Sequence, residues 1–195
     1  MTESTGTKAD ILEKAISLFA ASGYSAVSMR QIAKAVGITA ASLYHHFPDK
    51  QTLYIKAIQQ AFVSREFMLS EILAMDLPVR EKLRLFVRRI CEFIINDPDF
   101  GKLIHREVLD SKEDETRLRL LADQVFKKFA GAVMTLAGEL APDKDPHLTG
   151  ISILSLVAYH FLLTPLRIYL PGARPAHNDL DTISDHITDL LLTAL

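Results

Sequence analysis

Apolar residues recur along this chain at intervals of three and four, the spacing that places them on one face of an α-helix. No segment sustains the period-two alternation of a half-buried strand, and no Asn-Gly or Asp-Gly hairpin turn occurs. Glycines, prolines and capping residues separate the periodic stretches. The pattern predicts an all-α protein of about nine helices, at roughly residues 7–22, 28–37, 39–47, 49–74, 78–96, 97–110, 112–141, 145–169 and 179–195.

The second and third predicted helices lie in the stretch SMRQIAKAVGITAASLYHHFPDK, residues 28–50. Ser28 and Gln31 have the spacing of a capping box, and Thr39 can cap the next helix. Gly37 fits a left-handed position in the turn between them. Two short crossed helices joined by a glycine-containing turn are typical of a helix-turn-helix.

The outer surface of this helix pair carries small, hydroxylated and aromatic-polar side chains. Small residues let a helix enter the major groove, while hydroxyls and imidazoles can donate to phosphates and base edges. Ser28 and Thr39 stand at helix N-termini, which favour a phosphate, and Lys50 adds a positive charge. We therefore predict contact with double-stranded DNA. The residues predicted to remain outside are Thr39, Ala40, Ala41, Ser42, Tyr44, His45 and His46.

Residues 8–60 resemble the TetR family of bacterial repressors. The signature is a Gly-Tyr-Ser turn followed by Leu-Tyr-x-His-Phe-x-x-Lys. This chain departs from the family at Ala41, where members often have glycine, and that puts the detailed backbone contacts there in question. The residues that carry the resemblance are Ile11, Ala15, Phe19, Gly23, Tyr24, Ser28, Ile32, Ala33, Gly37, Leu43, Tyr44, His46, Phe47, Lys50 and Leu53.

The resemblance implies a homodimer that binds a palindromic operator and releases it when a small molecule occupies the C-terminal domain. It implies a DNA-binding domain at residues 1–50 and an effector-binding and dimerisation domain at 51–195. It implies no cofactor. By position, the phosphate-contacting residues are Ser28, Thr39, Tyr44, His46 and Lys50. The residues facing base edges are Arg30, Ala40, Ala41 and Ser42, and His45 can serve either purpose.

Two other classes of function stay open at this point. Known catalytic motifs are absent, so we expect no enzymatic activity, yet an all-α hydrolase could be built from His105, Glu107 or Asp110. A helical adaptor that binds protein is the other alternative. A metal site at His45 and His46 is disfavoured, because successive helical residues point about 100° apart.

The C-terminal part of the chain predicts a ligand pocket of mainly apolar and aromatic lining. Arg89, His105, Tyr159 and His160 are polar groups inside apolar runs, and if buried they need partners, either each other or a ligand. The lining favours a lipophilic or aromatic effector. The candidate residues are Phe86, Arg89, Ile90, Phe93, His105, Phe126, Phe129, Tyr159 and His160.

The last two predicted helices carry long apolar stripes that favour a dimer. Two helices joined by a proline-containing loop can pair with their twofold copies as a four-helix bundle. The interface candidates are Ile151, Leu154, Ala158, Leu162, Leu180, Ile183, Ile187, Leu190 and Leu191.

Charge and composition limit the remaining choices. The formal net charge is −2, but residues 1–60 carry six basic and four acidic side chains, which suits an anionic partner of that segment. Cys91 is the only cysteine, so no intrachain disulfide can form, as in a reducing compartment. The N-terminus lacks a signal peptide pattern, and the apolar stretch near residues 151–166 is interrupted by polar residues and a proline. We predict a soluble cytoplasmic protein.

Overall fold

The computed structural model describes residues 4–110 and 115–195, apart from the side chains of residues 4–7, 64, 98, 100 and 108–110. Over these residues the chain is helical and contains no strand, which confirms the all-α prediction. The α-helices are α1 (Ser4–Ser22), α2 (Met29–Val36), α3 (Ala40–His46), α4 (Lys50–Ala74), α5 (Val79–Asn96), α6 (Pro98–Asp110), α7 (Glu115–Leu121), α8 (Lys127–Leu140), α9 (Pro146–Leu162), α10 (Thr164–Arg167) and α11 (Leu180–Ala194).

Local capping chemistry sets the helix ends as the sequence predicts. The Ser28 and Gln31 side chains form the reciprocal capping box, and Thr39 accepts the Ser42 amide at 3.1 Å. Gly37 has φ of 81°, the left-handed conformation that stops α2 without a steric cost. These local hydrogen bonds fix the turn between α2 and α3.

Two helix assignments differ from the prediction. The helix expected at 145–169 ends at Leu162, because Pro165 has no N–H to continue the ladder, and the short α10 follows. A 3-10 helix, Pro175–Asn178, occupies the expected loop. The helix expected at 112–141 consists of α7, a π-helical turn at Ala122–Phe126, and α8. Its predicted start at Lys112 lies outside the described residues.

The described chain divides into two compact units. Unit 1 takes residues up to 64 together with 98–127, so it combines α1, α2 and α3 with the first part of α4 and with α6 and α7. Unit 2 takes 65–97 and 128–195. The domain boundary at residue 50 stays a prediction.

Unit 1 is organised around an aromatic cluster. The rings of Phe19 and Tyr54 meet edge to face at 4.8 Å, and Tyr24 lies 4.9 Å from Tyr54. Arg106 of α6 donates to the carbonyl of Ala21 at 2.9 Å and so attaches α6 to the end of α1. The helix-turn-helix is therefore built onto α4 and α6 through large buried side chains.

Unit 2 has its core between α5 and α11, with α9 beside them. Phe86 and Phe129 are buried there, 6.3 Å apart between ring centres. Cys91 is also fully buried, and burial raises the pKa of its thiol to about 12, so it stays protonated and unreactive at neutral pH. Within the described residues, no helix combines the length and the apolar character needed to cross a bilayer.

Candidate nucleic-acid interface

Helix α3 turns one side to the protein and leaves the other side open. Leu43 and the following Phe47 are almost fully buried, whereas Tyr44 is 51% exposed and His45 is also exposed. Ala41, one helical turn before Tyr44, is exposed as well. Of the seven residues of α3, three are exposed: Ala41, Tyr44 and His45.

The remaining predicted contact residues are exposed or partly exposed. Arg30 and Ser28 are exposed at the start of α2. Thr39 is exposed at the start of α3, and Ala40 and Ser42 are partly exposed in its first turn. His46 is partly exposed in the last turn. Helix N-termini with free N–H groups are suited to a phosphate, and the motif contains two of them, capped by Ser28 and Thr39.

Lys50 has a structural task that the sequence did not reveal. Its ammonium donates to the carbonyl oxygens of Tyr24 and Val27, each at 3.0 Å, and lies 4.3 Å from the centre of the Tyr24 ring. Burial, and then the charge of Arg117, lower the pKa of Lys50. Two of its three N–H donors are thus used within the protein.

A buried ion pair lies close to this lysine and includes Arg117. Nε of Arg117 lies 3.1 Å from Oε1 of Glu107, and both side chains are almost fully buried. The Tyr54 hydroxyl donates to the other carboxylate oxygen at 2.5 Å. The Arg117 guanidinium lies 4.3 Å from the Tyr24 ring centre. Sequence analysis missed this group, because Arg117 sits in a charged stretch that has the pattern of a solvated helix face.

This network also changes the interpretation of the hydrolase alternative. Glu107 is occupied by Arg117 and Tyr54, and His105 is only partly buried on the same helix. The side chain of Asp110 lies outside the described residues. Glu107 therefore serves to hold α6 and α7 to the helix-turn-helix within unit 1.

The candidate effector residues are divided between unit 1 and unit 2. In unit 1, the Phe126 ring packs edge to face against Phe62 at 5.2 Å. In unit 2, Phe93 lies under the guanidinium of Arg65 at 4.9 Å, and Ile90 is partly buried. Phe86 and Phe129 belong to the unit 2 core described above.

Two of the polar candidates are not buried. Arg89 is exposed and pairs with Glu92 at 2.8 Å, one turn away on α5. Tyr159 is 58% exposed. The condition of burial, under which these groups would need partners, is not met at these two positions, because an Arg or Tyr in an apolar run can face outward from a helix. His160 is half-buried and lines a cavity with His186.

The predicted dimer residues fall into three groups by burial. The prediction is wrong for Ile183, Ile187 and Leu191, which are buried within unit 2, where α11 packs against α5. Leu154 and Leu180 are partly buried. The candidates that stay exposed are Ile151, Ala158, Leu162 and Leu190.

Further apolar side chains are exposed close in sequence to these exposed candidates. Large exposed apolar patches on a folded protein mark interaction surfaces. Tyr159 lies one residue from Ala158, and the exposed run continues beyond α9 into α10 and the loop after it. These additional residues are Leu163, Leu166, Ile168, Tyr169 and Leu170.

Comparison with known proteins places both parts of the chain. The model of bacterial regulatory proteins of the tetR family matches residues 11–57. The model of the C-terminal domain of the HTH-type transcriptional dual regulator CecR matches residues 79–195, more than half of the chain. The biofilm operon icaADBC negative transcriptional regulator IcaR of Staphylococcus epidermidis is 38% identical over 55 residues, 28% of this chain. The chain spans only 30% of that curated relative.

Solved structures share the complete fold. The fatty acid degradation regulator FadR from Bacillus halodurans superposes with a TM-score of 0.78, at 20% identity, over 100% of this chain and 98% of that one. AibR, in complex with isovaleryl coenzyme A and operator DNA, gives a TM-score of 0.72 at 22% identity, over 95% of this chain and 98% of that one. At such identities the likeness establishes the fold.

Proposed function

Since the chain belongs to the TetR family of bacterial regulatory proteins, we propose that it is a sequence-specific DNA-binding transcriptional repressor. The observation that carries the proposal is the exposed side of α3, a helix that begins at the cap Thr39 and presents small and hydroxylated side chains. A helix with such a surface fits the major groove, where each base pair shows a distinct set of donors and acceptors.

The roles of individual residues follow from their chemistry. Ala40 and Ala41 let α3 approach the base edges, and Ser42 and Arg30 can hydrogen-bond to them. Tyr44 and His46 reach phosphates from the end of α3, while the capped N-termini at Ser28 and Thr39 receive phosphates by their free N–H groups. 

Lys50 contributes in two ways under this proposal. It attaches the turn before α2 to α4 through the Tyr24 and Val27 carbonyls, and it offers its remaining N–H to a phosphate. Both effects are independent of base sequence.

We propose a homodimer formed through α9, α10 and the exposed side of α11. Its support is the set of exposed apolar residues that includes Ile151, Leu162, Leu166 and Leu190. Twofold symmetry would present two recognition helices to a palindrome, with half-sites about one helical turn, 34–36 Å, or more apart. 

We further propose control by a small molecule. The AibR structure holds a ligand and operator DNA on one protein of this fold, which supports the same division of labour here. Within unit 1, the contacts of Arg117 with Glu107 and Tyr24 give α6 and α7 a direct hold on the helix-turn-helix. A ligand that preferred one position of these helices could release the operator with a coupling of about 1–3 kcal/mol.

Selection of binding sites from sheared genomic DNA tests the proposal. At moderate salt the protein should enrich fragments that share one palindrome, and footprinting should protect both half-sites. Affinity should fall steeply with salt, because each phosphate contact releases counterions. Enrichment of unrelated fragments, with no shared palindrome, would remove the repressor assignment and favour the adaptor alternative.

A further inference from the structure

A cavity of about 350 Å³ in unit 2 is lined largely by basic side chains. It lies where the end of α9, α10, the 3-10 helix Pro175–Asn178 and the first turns of α11 come together. Its volume falls in the range of small-molecule sites. The lining residues are His160, Arg167, His177, Thr182, Ile183 and His186, and none of them carries a carboxylate.

The acidic residues of α11 are engaged on another side of that helix. Asp181 pairs with Arg88 of α5. Asp185 and Asp189 lie 3.6 and 3.9 Å from the guanidinium of Arg84, also on α5. The three aspartates are spaced by four residues and so share one helix face. Their negative charge is therefore directed to α5, and the cavity side of α11 presents histidine and threonine.

Arg167 has only neutral oxygen partners among the described residues. Its Nη1 donates to the carbonyl of His160 at 3.3 Å, and its Nη2 donates to Thr164 and Asn178 at 3.3 and 2.9 Å. Its Nε is buried without an acceptor. A half-buried guanidinium that has no carboxylate partner among the described residues, and whose Nε is unsatisfied there, is poorly compensated.

The histidines add to the same imbalance. The rings of His160 and His186 are 5.6 Å apart. Burial, followed by the charges of His186 and Arg167, lowers the pKa of His160, while a hydrogen bond to the Leu156 backbone opposes this. The surroundings thus disfavour another positive charge in the cavity. A bound anion would reverse that effect and raise the pKa of His160.

The third histidine that lines the cavity, His177, accepts a hydrogen bond that defines its neutral tautomer. Nδ1 of His177 accepts the backbone N–H of Arg174 at 3.2 Å, so the neutral ring carries its proton on Nε2. The nearest acid in sequence, Asp179, accepts from the N–H and hydroxyl of Thr182 at the start of α11. Its carboxylate is already used as a helix cap and does not neutralise Arg167.

We propose that this cavity binds a small organic carboxylate. The carboxylate would lie against Arg167, whose positive charge strengthens a hydrogen bond to an anionic oxygen. An apolar body would lie against Ile183 and the imidazole faces of His160 and His186. The site lies in the part of the chain that matches a regulator's C-terminal domain, and naming its ligand as an effector rests on the proposed function.

Titration calorimetry of the full-length protein tests the site without DNA. Benzoate is the probe, benzamide is the uncharged control of the same shape, and inorganic phosphate is the anion without an apolar body. We expect one benzoate to bind per chain. Benzamide should bind at least about tenfold more weakly than benzoate, because the amide lacks the charge-assisted bond. Histidine NMR should show the pKa of His160 rising with benzoate.

Two substitutions separate the site from general charge effects. Arg167→Gln should weaken benzoate binding by about tenfold or more, and Arg174→Gln, an exposed arginine of the same loop, should leave it unchanged. His186→Phe provides a second test if Arg167→Gln melts early: it keeps Arg167 and the apolar wall, so benzoate should still bind and should still raise the pKa of His160.

The proposal fails if benzoate does not bind, if benzamide binds equally well, if only phosphate binds, or if Arg174→Gln has the same effect as Arg167→Gln. Operator titration with and without benzoate then addresses the effector role. Stoichiometric benzoate binding with unchanged operator affinity would remove that role. Absence of any preferred operator, with benzoate binding intact, would contradict the proposed function and leave the carboxylate site standing.

Discussion

Glu107 and Arg117 form an ion pair inside unit 1, with Nε and Oε1 3.1 Å apart and side-chain exposures of 2% and 3%. The Tyr54 hydroxyl holds the second carboxylate oxygen, and the guanidinium also faces the Tyr24 ring. Two charges out of water need such complete partnering, because the desolvation of each ion is costly. The pair thereby joins α6 and α7 to the helix that begins at Lys50.

Removing one member of this pair should destabilise the protein strongly. Glu107→Gln leaves Arg117 buried without its counter-charge, and we expect the free energy of unfolding to fall by about 3–5 kcal/mol. Glu115→Gln removes an exposed pair with Arg119 and should change it by less than about 1 kcal/mol. Urea unfolding measures both. Equal effects of the two substitutions would contradict the structural role of Glu107.

Lys50 should affect both stability and DNA binding. Lys50→Met removes two hydrogen bonds to the turn before α2, so we expect a lower melting temperature and a uniform loss of affinity for all sequences. Lys56→Met changes an exposed lysine of the same helix, bonded only to Gln59 among the described residues, and serves as the control. A changed operator preference in Lys50→Met would show that Lys50 reads a base.

Capping and turn chemistry could be predicted from the sequence, because they depend on residues within four positions of one another. Ser28 and Thr39 therefore cap their helices, and Gly37 takes the left-handed conformation, as the sequence predicts. The task of Lys50 could not be predicted, since its partners are more than twenty residues away. The hydrogen bond between Tyr54 and Glu107 could not be predicted for the same reason.

Apolar periodicity likewise indicates that a helix face is covered without identifying what covers it. The stripe of α11 that includes Ile187 was assigned to a partner subunit, and α5 of the same chain covers it instead. The break after Leu162 was predictable from Pro165, and the prediction failed by giving more weight to apolar spacing than to proline.

Stability should depend on pH through His160. Its pKa is lowered in the folded protein by burial and by the nearby His186 and Arg167, so the unfolded chain binds the proton more readily. The stabilisation is fully present above the unfolded value of about 6.5 and is lost as the pH falls through the lowered folded pKa.

Unfolding free energies at pH 7.5 and pH 5.5 test this dependence. The decrease on acidification should be smaller in His160→Gln than in the unsubstituted protein. His147→Gln, an exposed histidine at the start of α9, should keep the original decrease. An unchanged decrease in His160→Gln would assign the pH dependence to other groups.

The dimer should depend on the exposed residues of α9 and not on the buried stripe of α11. Ile151→Glu combined with Leu162→Glu places two charges on the proposed interface and should give monomers in sedimentation while the helix content is retained. Leu77→Glu, an exposed leucine between α4 and α5, is the control and should remain dimeric. A dimer that survives the double substitution would move the interface to another surface.

Titration of the selected palindrome with two glutamate variants tests the central claim most directly. Ala41→Glu puts a carboxylate on the open face of α3, and Ala122→Glu makes the same change at another exposed alanine of unit 1. If α3 enters the major groove, Ala41→Glu should lose about tenfold or more in affinity, at least ~1.4 kcal/mol, and should lose its preference over a scrambled duplex. Ala122→Glu should bind as the unsubstituted protein does. Full operator affinity and preference in Ala41→Glu would contradict the assignment of α3 as the recognition helix.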